Sequence, residues 1–453
     1  VQTDDDKIWV GSDHGGINII DQVANKVTYV LNRPDDAKSL SGNSVYIYRD
    51  NTGIVWAGTF KQGISYYHKN IVQFPLYRQL TNSSGKVVLE DINSFEEDDK
   101  NNLWIGTNGS GLIYFDRAAN SYRQFKHDPT NANSLSSDIV VRLYLDKRKR
   151  LWIGTYFGGL DCFDGKTFIH YRHNKLDPSS LSDDRVYAIT EDFNNELWVG
   201  TFAGGLNVLD PKTNTFRHPD ISGLSDYTSV IYEDRQHNKW IGRDKGVDLL
   251  LKGSNKARHY TSIPNNPNSL VGNDVNVIVE DKKGLIWIGT KDGLSILNPK
   301  TNKFLNMEEG ISLPANNVSN IIEDNAGVMW VSTTNGLASI TLTQEGRKFK
   351  AKINNYNERD GLQGRAFNLY AGKRLKNGEL IFGGIAGFNL FRPQSLSVYY
   401  PKPSLVFTDL KLFNKSVLPG DSLENKDVLT KALTETKELT LRHSQNVFDI
   451  EFA

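Results

Sequence analysis

The sequence has 453 residues and no net charge, because 53 Lys and Arg residues balance 53 Asp and Glu residues. A chain of this length holds about two to four domains. Balanced charge argues against binding through nucleic acid phosphates, so we expect no direct nucleic acid contact. No run of about 18 apolar residues is present, which predicts no membrane span within this sequence. The single cysteine, Cys162, cannot form an internal disulfide.

One short pattern returns along the chain: an apolar residue, Trp, an apolar residue, Gly, usually Thr, a short loop, Gly and a second apolar run. The copy at residues 151–164 reads LWIGTYFGGLDCFD. All eight tryptophans occupy the same place in the pattern: Trp9, Trp56, Trp104, Trp152, Trp198, Trp240, Trp287 and Trp330. We interpret Phe382, in LIFGGIAGFNLF, as a ninth copy with Phe replacing Trp. A period of about 40–50 residues with several short strands is typical of propeller blades.

Within one copy, alternating and β-branched residues predict four antiparallel strands at 140–145, 151–155, 160–163 and 167–171. Polar residues at 146–150 predict a tight turn between the first two strands. The first copy opens at Ile8 with what would be the second strand of a blade. We therefore expect this chain to be a piece of a longer protein.

An Asp lies six residues before every tryptophan from the second copy onward: Asp50, Asp98, Asp146, Asp192, Asp234, Asp281 and Asp324. An Asp that opens a turn accepts hydrogen bonds from backbone amides two residues further on. Residues that recur once per blade cannot converge on one ion, so we expect neither a metal nor a cofactor. The glycine two residues after Trp predicts close approach of adjacent sheets. The second glycine, as in Gly159, predicts a left-handed turn.

Seven copies, from Trp104 to Phe382, would close one ring of four-stranded blades. The predicted domains are residues 1–70, the last two blades of an upstream propeller; 71–397, a complete seven-bladed β-propeller; and 398–453, the start of an immunoglobulin-like β-sandwich. Strands of the sandwich are predicted at 404–413, 438–441 and 447–452. The segment 72–78 could be the outer strand of the Trp56 blade, or it could close the second ring beside Asn389. We favour the second alternative because the last blade has no evident outer strand of its own.

These residues resemble the two-component regulator propeller repeat, as in EDDKNNLWIGTNGSGL at 97–112 and EDFNNELWVGTFAGGL at 191–206. NERDGLQGRAFN at 357–368 and GELIFGGIAGFNLFRP at 378–393 resemble the final blade of that family. PSLVFTDLKLFNKSV, which begins at Pro403, resembles the start of the triple-tyrosine β-sandwich domain that follows it. The resemblance covers almost the whole chain.

The resemblance implies the exported, periplasmic sensor region of an inner-membrane hybrid two-component system. The parent protein would sense glycan fragments, dimerise through the sandwich, and carry its membrane anchor and histidine kinase outside this chain. No phosphotransfer is therefore expected from any residue here, and this region is not expected to be an enzyme. A hinge is expected near residues 397–403.

Catalytic signatures are scarce. No phosphate-binding glycine loop, nucleophile elbow or HExxH sequence occurs. The recurring Glu-Asp pairs, such as Glu97-Asp98, resemble glycosidase acid pairs, but they recur because the repeat recurs. His170 and His173 lie three residues apart near an outer strand, where a surface position is a better explanation than a metal site.

A better candidate site is the face of the ring that carries the loops between second and third strands and the loops between blades. The predicted ligand-binding residues are Tyr156, Phe157, Arg185, Phe202, Tyr227, Arg243, Lys291 and Arg365. The same loops also carry Phe60, Asn108, Asp138, Asn273, Asp292 and Asn317. Aromatic faces stack on sugar rings, and Arg binds hydroxyls, uronates or sulfates. We expect an oligosaccharide ligand, on this face or, as the family resemblance implies, in the crevice between the two propellers. A propeller polysaccharide lyase or hydrolase and a protein-binding scaffold are the alternative functions.

Overall fold

The computed structural model describes residues 1–3, 6–33, 39–68, 74–82, 85–210, 212–219, 221, 225–305, 313–345, 348–396, 406–423 and 426–452. The chain divides into two compact units, Val1–Ser397 and Val398–Ala453. Within the described residues the protein is all-β, apart from three short 3-10 helices at Glu358–Asp360, Pro393–Ser395 and Leu433–Glu435. The predicted all-β class is confirmed.

Two three-stranded antiparallel sheets precede the ring. The first contains β1 (Ile8–Gly11), β2 (Ile17–Asp21) and β3 (Lys26–Val30); the second contains β4 (Val45–Arg49), β5 (Val55–Thr59) and β6 (Gly63–Tyr67). Trp9, Ile17, Val45 and Val55 form an apolar cluster between these sheets. The next strands are β7 (Leu76–Tyr77) and a hairpin that the sequence analysis did not predict, β8 (Gln79–Asn82) with β9 (Gly85–Val88).

Seven four-stranded antiparallel sheets follow, here called blades 1 to 7. Blade 1 comprises β10 (Ile92–Glu97), β11 (Leu103–Thr107), β12 (Leu112–Asp116) and β13 (Ser121–Phe125). Blade 2 comprises β14 (Val140–Leu145), β15 (Leu151–Thr155), β16 (Leu160–Phe163) and β17 (Phe168–Tyr171). Blade 3 comprises β18 (Val186–Glu191), β19 (Leu197–Thr201), β20 (Leu206–Asp210) and β21 (Thr215–Arg217).

The remaining blades repeat this order. Blade 4 comprises β22 (Val230–Glu233), β23 (Lys239–Arg243), β24 (Gly246–Leu250) and β25 (Ala257–Tyr260). Blade 5 comprises β26 (Val275–Glu280), β27 (Ile286–Thr290), β28 (Leu294–Asn298) and β29 (Lys303–Phe304). Blade 6 comprises β30 (Val318–Glu323), β31 (Met329–Thr333), β32 (Gly336–Glu345) and β33 (Lys348–Tyr356). Blade 7 comprises β34 (Phe367–Arg374), β35 (Leu380–Gly384), β36 (Gly387–Phe391) and β7.

The ring closes through a strand from its N-terminal side. β7 pairs with β36, with Leu76 opposite Asn389, and the Asn389 amide donates to the Phe74 carbonyl at 3.3 Å. Phe74 is fully buried against Phe391. This pairing is the alternative that the sequence analysis favoured for the segment 72–78, of which residues 72 and 73 lie outside the described part. The domain limits themselves stay a prediction.

The recurring Glu-Asp pair is a structural device that joins blades. The carboxylate of Glu191, in blade 3, accepts the backbone N–H of Lys147, in the first turn of blade 2, at 2.9 Å. Glu97 of blade 1 likewise accepts the N–H of Lys376 in blade 7 at 2.7 Å. The same contact is made by Glu233, Glu280 and Glu323, each to the preceding blade. Each pair therefore stabilises two turns. The Asp accepts hydrogen bonds within the turn of its own blade, and the Glu binds the corresponding turn of the preceding blade.

Both glycine positions behave as predicted. A Cβ on Gly154 would lie 2.8 Å from Val186 Cγ1 of the next blade, so a side chain there would separate the sheets. Gly159 has a φ of +79°, in the left-handed region that glycine adopts without strain. The first glycine of the repeat therefore allows adjacent blades to pack closely, and the second allows the turn between the second and third strands.

Blade 7 departs from the others, and the sequence interpretation of Phe382 is wrong. Phe382 pairs with Asn389, as Ile153 pairs with Asp161 in blade 2, so Ile381 occupies the tryptophan register. The apolar run Leu-Ile-Phe-Gly of blade 7 aligns with Leu-Trp-Ile-Gly of blade 2, so the aromatic residue comes one position after the tryptophan position. The copy is real, but its aromatic residue packs on the opposite face.

The inner strand of blade 7 also contains a wider bulge. In blade 1, Ile92 and Phe95 are separated by two residues, whereas in blade 7 the equivalent Phe367 and Gly372 are separated by four. The additional length includes Tyr370, which has a φ of +63° and is 6% exposed. A non-glycine residue in this conformation is uncommon, and bulges re-aim side chains.

The second compact unit contains a three-stranded sheet, β38-β37-β41, and a two-stranded one, β39-β40. Their bounds are β37 (Phe407–Leu412), β38 (Lys415–Ser416), β39 (Ser422–Leu423), β40 (Lys426–Asp427) and β41 (Phe448–Phe452). The strand predicted at 438–441 is wrong, because this segment has no strand partner. Leu439 and Leu441 instead pack against the cluster that contains Leu410, so their alternation reflects packing and not pairing. The sandwich assignment stays a prediction.

Candidate functional site

Five aromatic residues from three adjacent blades lie together on the predicted face of the ring, and we call Tyr156, Phe157, Tyr187, Phe202 and Tyr227 the aromatic cluster. The rings of Tyr156 and Phe157 are 4.3 Å apart. Phe202 lies 5.4 Å from Tyr227 and 5.9 Å from Tyr187 between ring centroids. Phe157 and Phe202 are 65% and 43% exposed, so two large apolar rings face solvent where burial would be favourable.

Arg185 connects the blades within this cluster. Its guanidinium lies 4.5 Å from the centroid of Phe202 and 6.0 Å from that of Phe157, within cation–π distance of both. The same guanidinium binds Asp183 bidentately, with Nε–Oδ1 and Nη2–Oδ2 distances of 2.9 and 2.6 Å. The hydrogen bond to Asp183 raises the pKa of Arg185. Arg185 is thus held in place and its charge is balanced.

The other predicted cations are also paired with carboxylates. Lys291 contacts Asp274 at the surface, and Arg365 lies 3.4 Å from Glu358. Arg243 is only 2% exposed; its guanidinium contacts Asp248, the carbonyl of Ser225 and the hydroxyl of Thr228. The structure therefore places Arg243 inside blade 4 and away from the open face. Arg365 lies in the loop before blade 7, where Glu358 is the side chain that its guanidinium contacts among the described residues.

The polar loop residues mostly order the loops that carry them. The side-chain amide of Asn108 donates a hydrogen bond to Asp91. The side chains of Asp138 and Asn273 accept the backbone N–H groups of His127 and Ser262, respectively. The side chain of Asn317 accepts a hydrogen bond from the side-chain amide of Asn276. Asp292 donates its backbone N–H to Thr290, and Phe60 is 67% exposed beside Lys61, on the sheet before the ring. These contacts make a framework and leave the aromatic rings as the exposed feature.

A pocket of about 420 Å³ lies at the mouth of the central channel. Its walls include Tyr156, Tyr187, Tyr370 and Asn108, and we call it the mouth pocket. A second pocket of about 470 Å³, lined by Phe202, Tyr227 and Lys291, lies beside it on the same face. Burial raises the pKa of Tyr227 to about 12, although a hydrogen bond with the Tyr370 hydroxyl opposes the rise. Burial also raises the pKa of Tyr370. Both phenols are therefore neutral at ordinary pH.

Two residues of this site were missed by the sequence analysis. Tyr187 lies in an inner strand, where alternation alone indicates packing. Tyr370 reaches the pocket because of the additional residues in β34, and burial raises its pKa well above the ordinary value. The extra length of the final repeat between Phe367 and Gly372 was the one signal that could have revealed it.

Catalytic and metal chemistry have little support among the described residues. No group of three or more His, Cys, Asp or Glu side chains there could hold a metal ion. His170 Nδ1 lies 2.7 Å from Oδ1 of Asp161, and its Nε2 lies 3.0 Å from the carbonyl oxygen of Ala132, which accepts from it. His173 Nδ1 lies 2.8 Å from the carbonyl oxygen of Leu181. The nearby Ser136 hydroxyl is buried, so this Ser-His-Asp group does not form an open nucleophile site.

The repeat is recognised directly. The profile of the two component regulator propeller matches residues 88–109, 134–157, 180–203, 269–292 and 312–335. A histidine kinase P4 from Formosa agariphila is 32% identical over 101 residues, which is 22% of this chain and 7% of that protein. The profile matches fall on the propeller repeats.

Solved structures share the fold. The extracellular domain of a protein assigned as a hybrid two component system in B. thetaiotaomicron has a TM-score of 0.76 at 23% identity, covering 100% of this chain and 58% of that one. A second B. thetaiotaomicron extracellular domain, assigned as a one component system, has a TM-score of 0.58 at 22% identity, covering 100% and 59%. Virginiamycin B lyase from Staphylococcus aureus has a TM-score of 0.53 at 12% identity, covering 70% and 98%.

The class of protein is therefore a seven-bladed β-propeller built from regulator repeats. Five segments of the chain carry the two component regulator propeller repeat that its sequence indicated. It spans just over half the length of the B. thetaiotaomicron chains that it resembles. No helix in the described part of the chain has the length and apolar character to cross a membrane.

Proposed function

We propose that this chain is the ligand-sensing region of a membrane-bound hybrid two-component regulator and that it binds oligosaccharide fragments in the periplasm. The repeat family and the similarity in fold to extracellular sensor domains support the sensor role. The parent protein would supply the membrane anchor and the histidine kinase outside this chain. Dimerisation of the parent through the sandwich remains part of the proposal.

The observation that carries the sugar assignment is the aromatic cluster around Arg185. Phe157 and Phe202 expose flat apolar faces on neighbouring blades, and a guanidinium lies between them. Sugar rings present apolar C–H faces and polar edges, which suits rings flanked by hydrogen-bonding groups. The tyrosine hydroxyls of the mouth pocket add neutral donors within reach of a chain that crosses the face.

The charges of this face favour a neutral sugar over a uronate or a sulfated sugar. Arg185 is bound bidentately by Asp183, and Lys291 contacts Asp274. An Arg–carboxylate pair offers both donors and acceptors to hydroxyl groups. An anionic ligand would instead have to compete with the carboxylate already present.

Signalling requires that the ligand bind two arrangements of the protein with different affinities. We propose that bound sugar biases the position of the propeller relative to the following unit. The hinge expected at residues 397–403 lies outside the described residues, so its place in the mechanism stays a prediction.

Calorimetry with an oligosaccharide panel tests the binding proposal. A glycan that binds the parent protein should bind the Tyr156→Ala/Arg185→Ala variant at least about tenfold more weakly, because stacking and charge-assisted hydrogen bonds are both lost. Phe60→Ala, which removes an exposed aromatic residue before the ring, should leave affinity unchanged. Equal affinity of the double variant and the parent would exclude this face.

Binding is favoured over catalysis because the recurring carboxylates already have structural partners. Each Glu of the Glu-Asp pairs accepts a backbone amide of the neighbouring blade. The likeness to virginiamycin B lyase concerns the fold alone. Release of products from a polysaccharide panel by the purified protein would contradict the binding role.

A further inference from the structure

Below the mouth pocket, the central channel widens into a cavity of about 710 Å³ that we call the lower channel. Tyr370 lines both spaces, so its side chain separates one from the other. The lower channel extends to the turns between first and second strands, where it is lined by Arg235 and Lys282. Cavities of about 300–1,000 Å³ are the usual size for small-molecule sites.

Arg142 is the unusual residue of this cavity. It lies on the inner strand of blade 2, and its guanidinium is 4.9 Å from the centroid of the Tyr370 ring, which comes from blade 7 across the channel. Among the described residues, no carboxylate lies within ion-pair distance of this guanidinium. Each cation that was predicted for the upper face contacts a carboxylate, whereas the Arg142 guanidinium contacts the ring of Tyr370.

The carboxylates that line the lower channel are already bound by other groups. Glu96 lies 2.8 Å from Lys373, Glu280 lies 3.5 Å from Arg235, and Glu323 accepts the backbone N–H of Lys282 at 3.1 Å. Five cations and three carboxylates line the cavity in all. The lining therefore carries an excess of positive charge: Lys282 and Arg374 bind carbonyl oxygens, and the Arg142 guanidinium lies against the Tyr370 ring.

Two further observations indicate an unfilled hydrogen-bonding site. The Ser94 hydroxyl is buried without a hydrogen-bond partner in the described part of the chain, and Ser94 lines the lower channel. Burial lowers the pKa of the Arg142 guanidinium, and this effect outweighs the opposing charge interactions with Tyr370 and Glu96. Buried polar groups are normally satisfied by protein, water or a ligand.

We infer that the lower channel binds a small anion, a sulfate or a carboxylate group, with Arg142 as the principal ligand. A planar guanidinium held against an aromatic ring presents its N–H groups edge-on, which suits bidentate binding of oxyanions. The Ser94 hydroxyl can act as an additional donor. This site is separate from the sugar face and does not depend on the proposed function.

Selenate soaked into crystals of the protein gives a direct test, because selenium is located by its anomalous signal. We expect a peak within hydrogen-bond distance of the Arg142 guanidinium in the parent protein and none there in Arg142→Gln. The matched control is Arg374→Gln, which removes another cation of the same cavity whose guanidinium binds the carbonyl of Glu323. This control should keep the peak.

Solution binding gives an independent readout that does not need crystals. At constant ionic strength, sodium sulfate should raise the unfolding temperature of the parent and of Arg374→Gln above its value in sodium chloride. Because sulfate also stabilises proteins generally by exclusion from their surface, Arg142→Gln should keep only a smaller general shift. Its sulfate affinity should fall about tenfold or more, and Arg142→Lys should be intermediate. A selenate peak that survives in Arg142→Gln, or no sulfate-specific shift in the parent, would overturn the inference.

Discussion

The indole N–H of Trp152 donates a hydrogen bond to Oδ2 of Asp146 at 3.0 Å, while Oδ1 of the same carboxylate accepts the N–H of Arg150 at 2.8 Å. One carboxylate therefore orders the turn and fixes the ring of the tryptophan that follows. Six of the seven recurring Asp residues make the indole contact: Asp50, Asp146, Asp192, Asp234, Asp281 and Asp324. In blade 1, Asp98 accepts from the Tyr114 hydroxyl instead, at 2.8 Å.

Asp146→Asn should destabilise the protein by about 1–3 kcal/mol, because an amide N–H₂ would then face the indole N–H within a buried site. Denaturant unfolding followed by tryptophan fluorescence measures this change. Asp164→Asn is the matched control, since Asp164 also orders a turn but is exposed and has no tryptophan partner. A loss as large in the control would mean that the turn, and not the indole contact, matters.

Glu97→Ala should loosen the junction between blades 7 and 1, because it removes the acceptor for the Lys376 amide. Hydrogen exchange should accelerate at Lys376 by about tenfold, in line with a lost hydrogen bond to a charged group. Glu191→Ala removes the same contact between blades 2 and 3, which are consecutive in the chain. We expect a larger stability loss for Glu97→Ala, since its junction holds distant segments together; equal losses would argue against a special role for closure.

Gly154→Ala should cost about 2 kcal/mol or more, because the new methyl group would overlap Val186 of the next blade. Gly364→Ala is the control: a Cβ there meets no atom within 4 Å, and stability should change by less than about 0.5 kcal/mol. Thermal unfolding of the two variants compares them. Full stability of Gly154→Ala would show that the blades do not approach as closely as the structure indicates.

The His170–Asp161 contact predicts a pH-dependent contribution to stability. The hydrogen bond to Asp161 raises the pKa of His170, so folding favours the protonated ring. This stabilisation is fully present below the unfolded-state pKa of about 6.5 and is lost as pH rises through the higher folded-state value. The stability difference between the parent and His170→Gln should therefore decrease as pH rises above 6.5.

Asp161→Asn provides the matched background for that experiment. Asn207 occupies the equivalent position in blade 3 and accepts the N–H of Ser182, just as Asp161 accepts the N–H of Ser136, so the variant should fold. In this background the pH dependence of His170→Gln should disappear. An unchanged dependence would assign the effect to another titrating group.

Much of the ring could be predicted from the sequence because each blade repeats the same local rules. The strand bounds of blade 2, the turn at Asp146 and the left-handed Gly159 all follow from patterns that several copies share. What failed were departures from the repeat. The register of Phe382 and the bulge that carries Tyr370 depend on pairing across the sheet, which periodicity does not specify.

The candidate site was predictable only in part. Loop position placed Tyr156, Phe157, Phe202 and Tyr227 on one face, where the structure brings them together. Whether a cation is exposed or buried depends on its partners from other strands. The sequence alone therefore could not show that Arg243 is buried against Asp248 and not exposed on the face.

Hydroxyl-radical footprinting of the protein with and without a bound oligosaccharide, chosen from the calorimetric panel, tests the sugar-binding face most directly. The account predicts that ligand protects Phe157 and Phe202 from oxidation, while Phe60, which is about as exposed as Phe157 but lies before the ring, is oxidised at the same rate in both samples. Protection of Phe60 with unchanged oxidation of Phe157 and Phe202 would contradict the account.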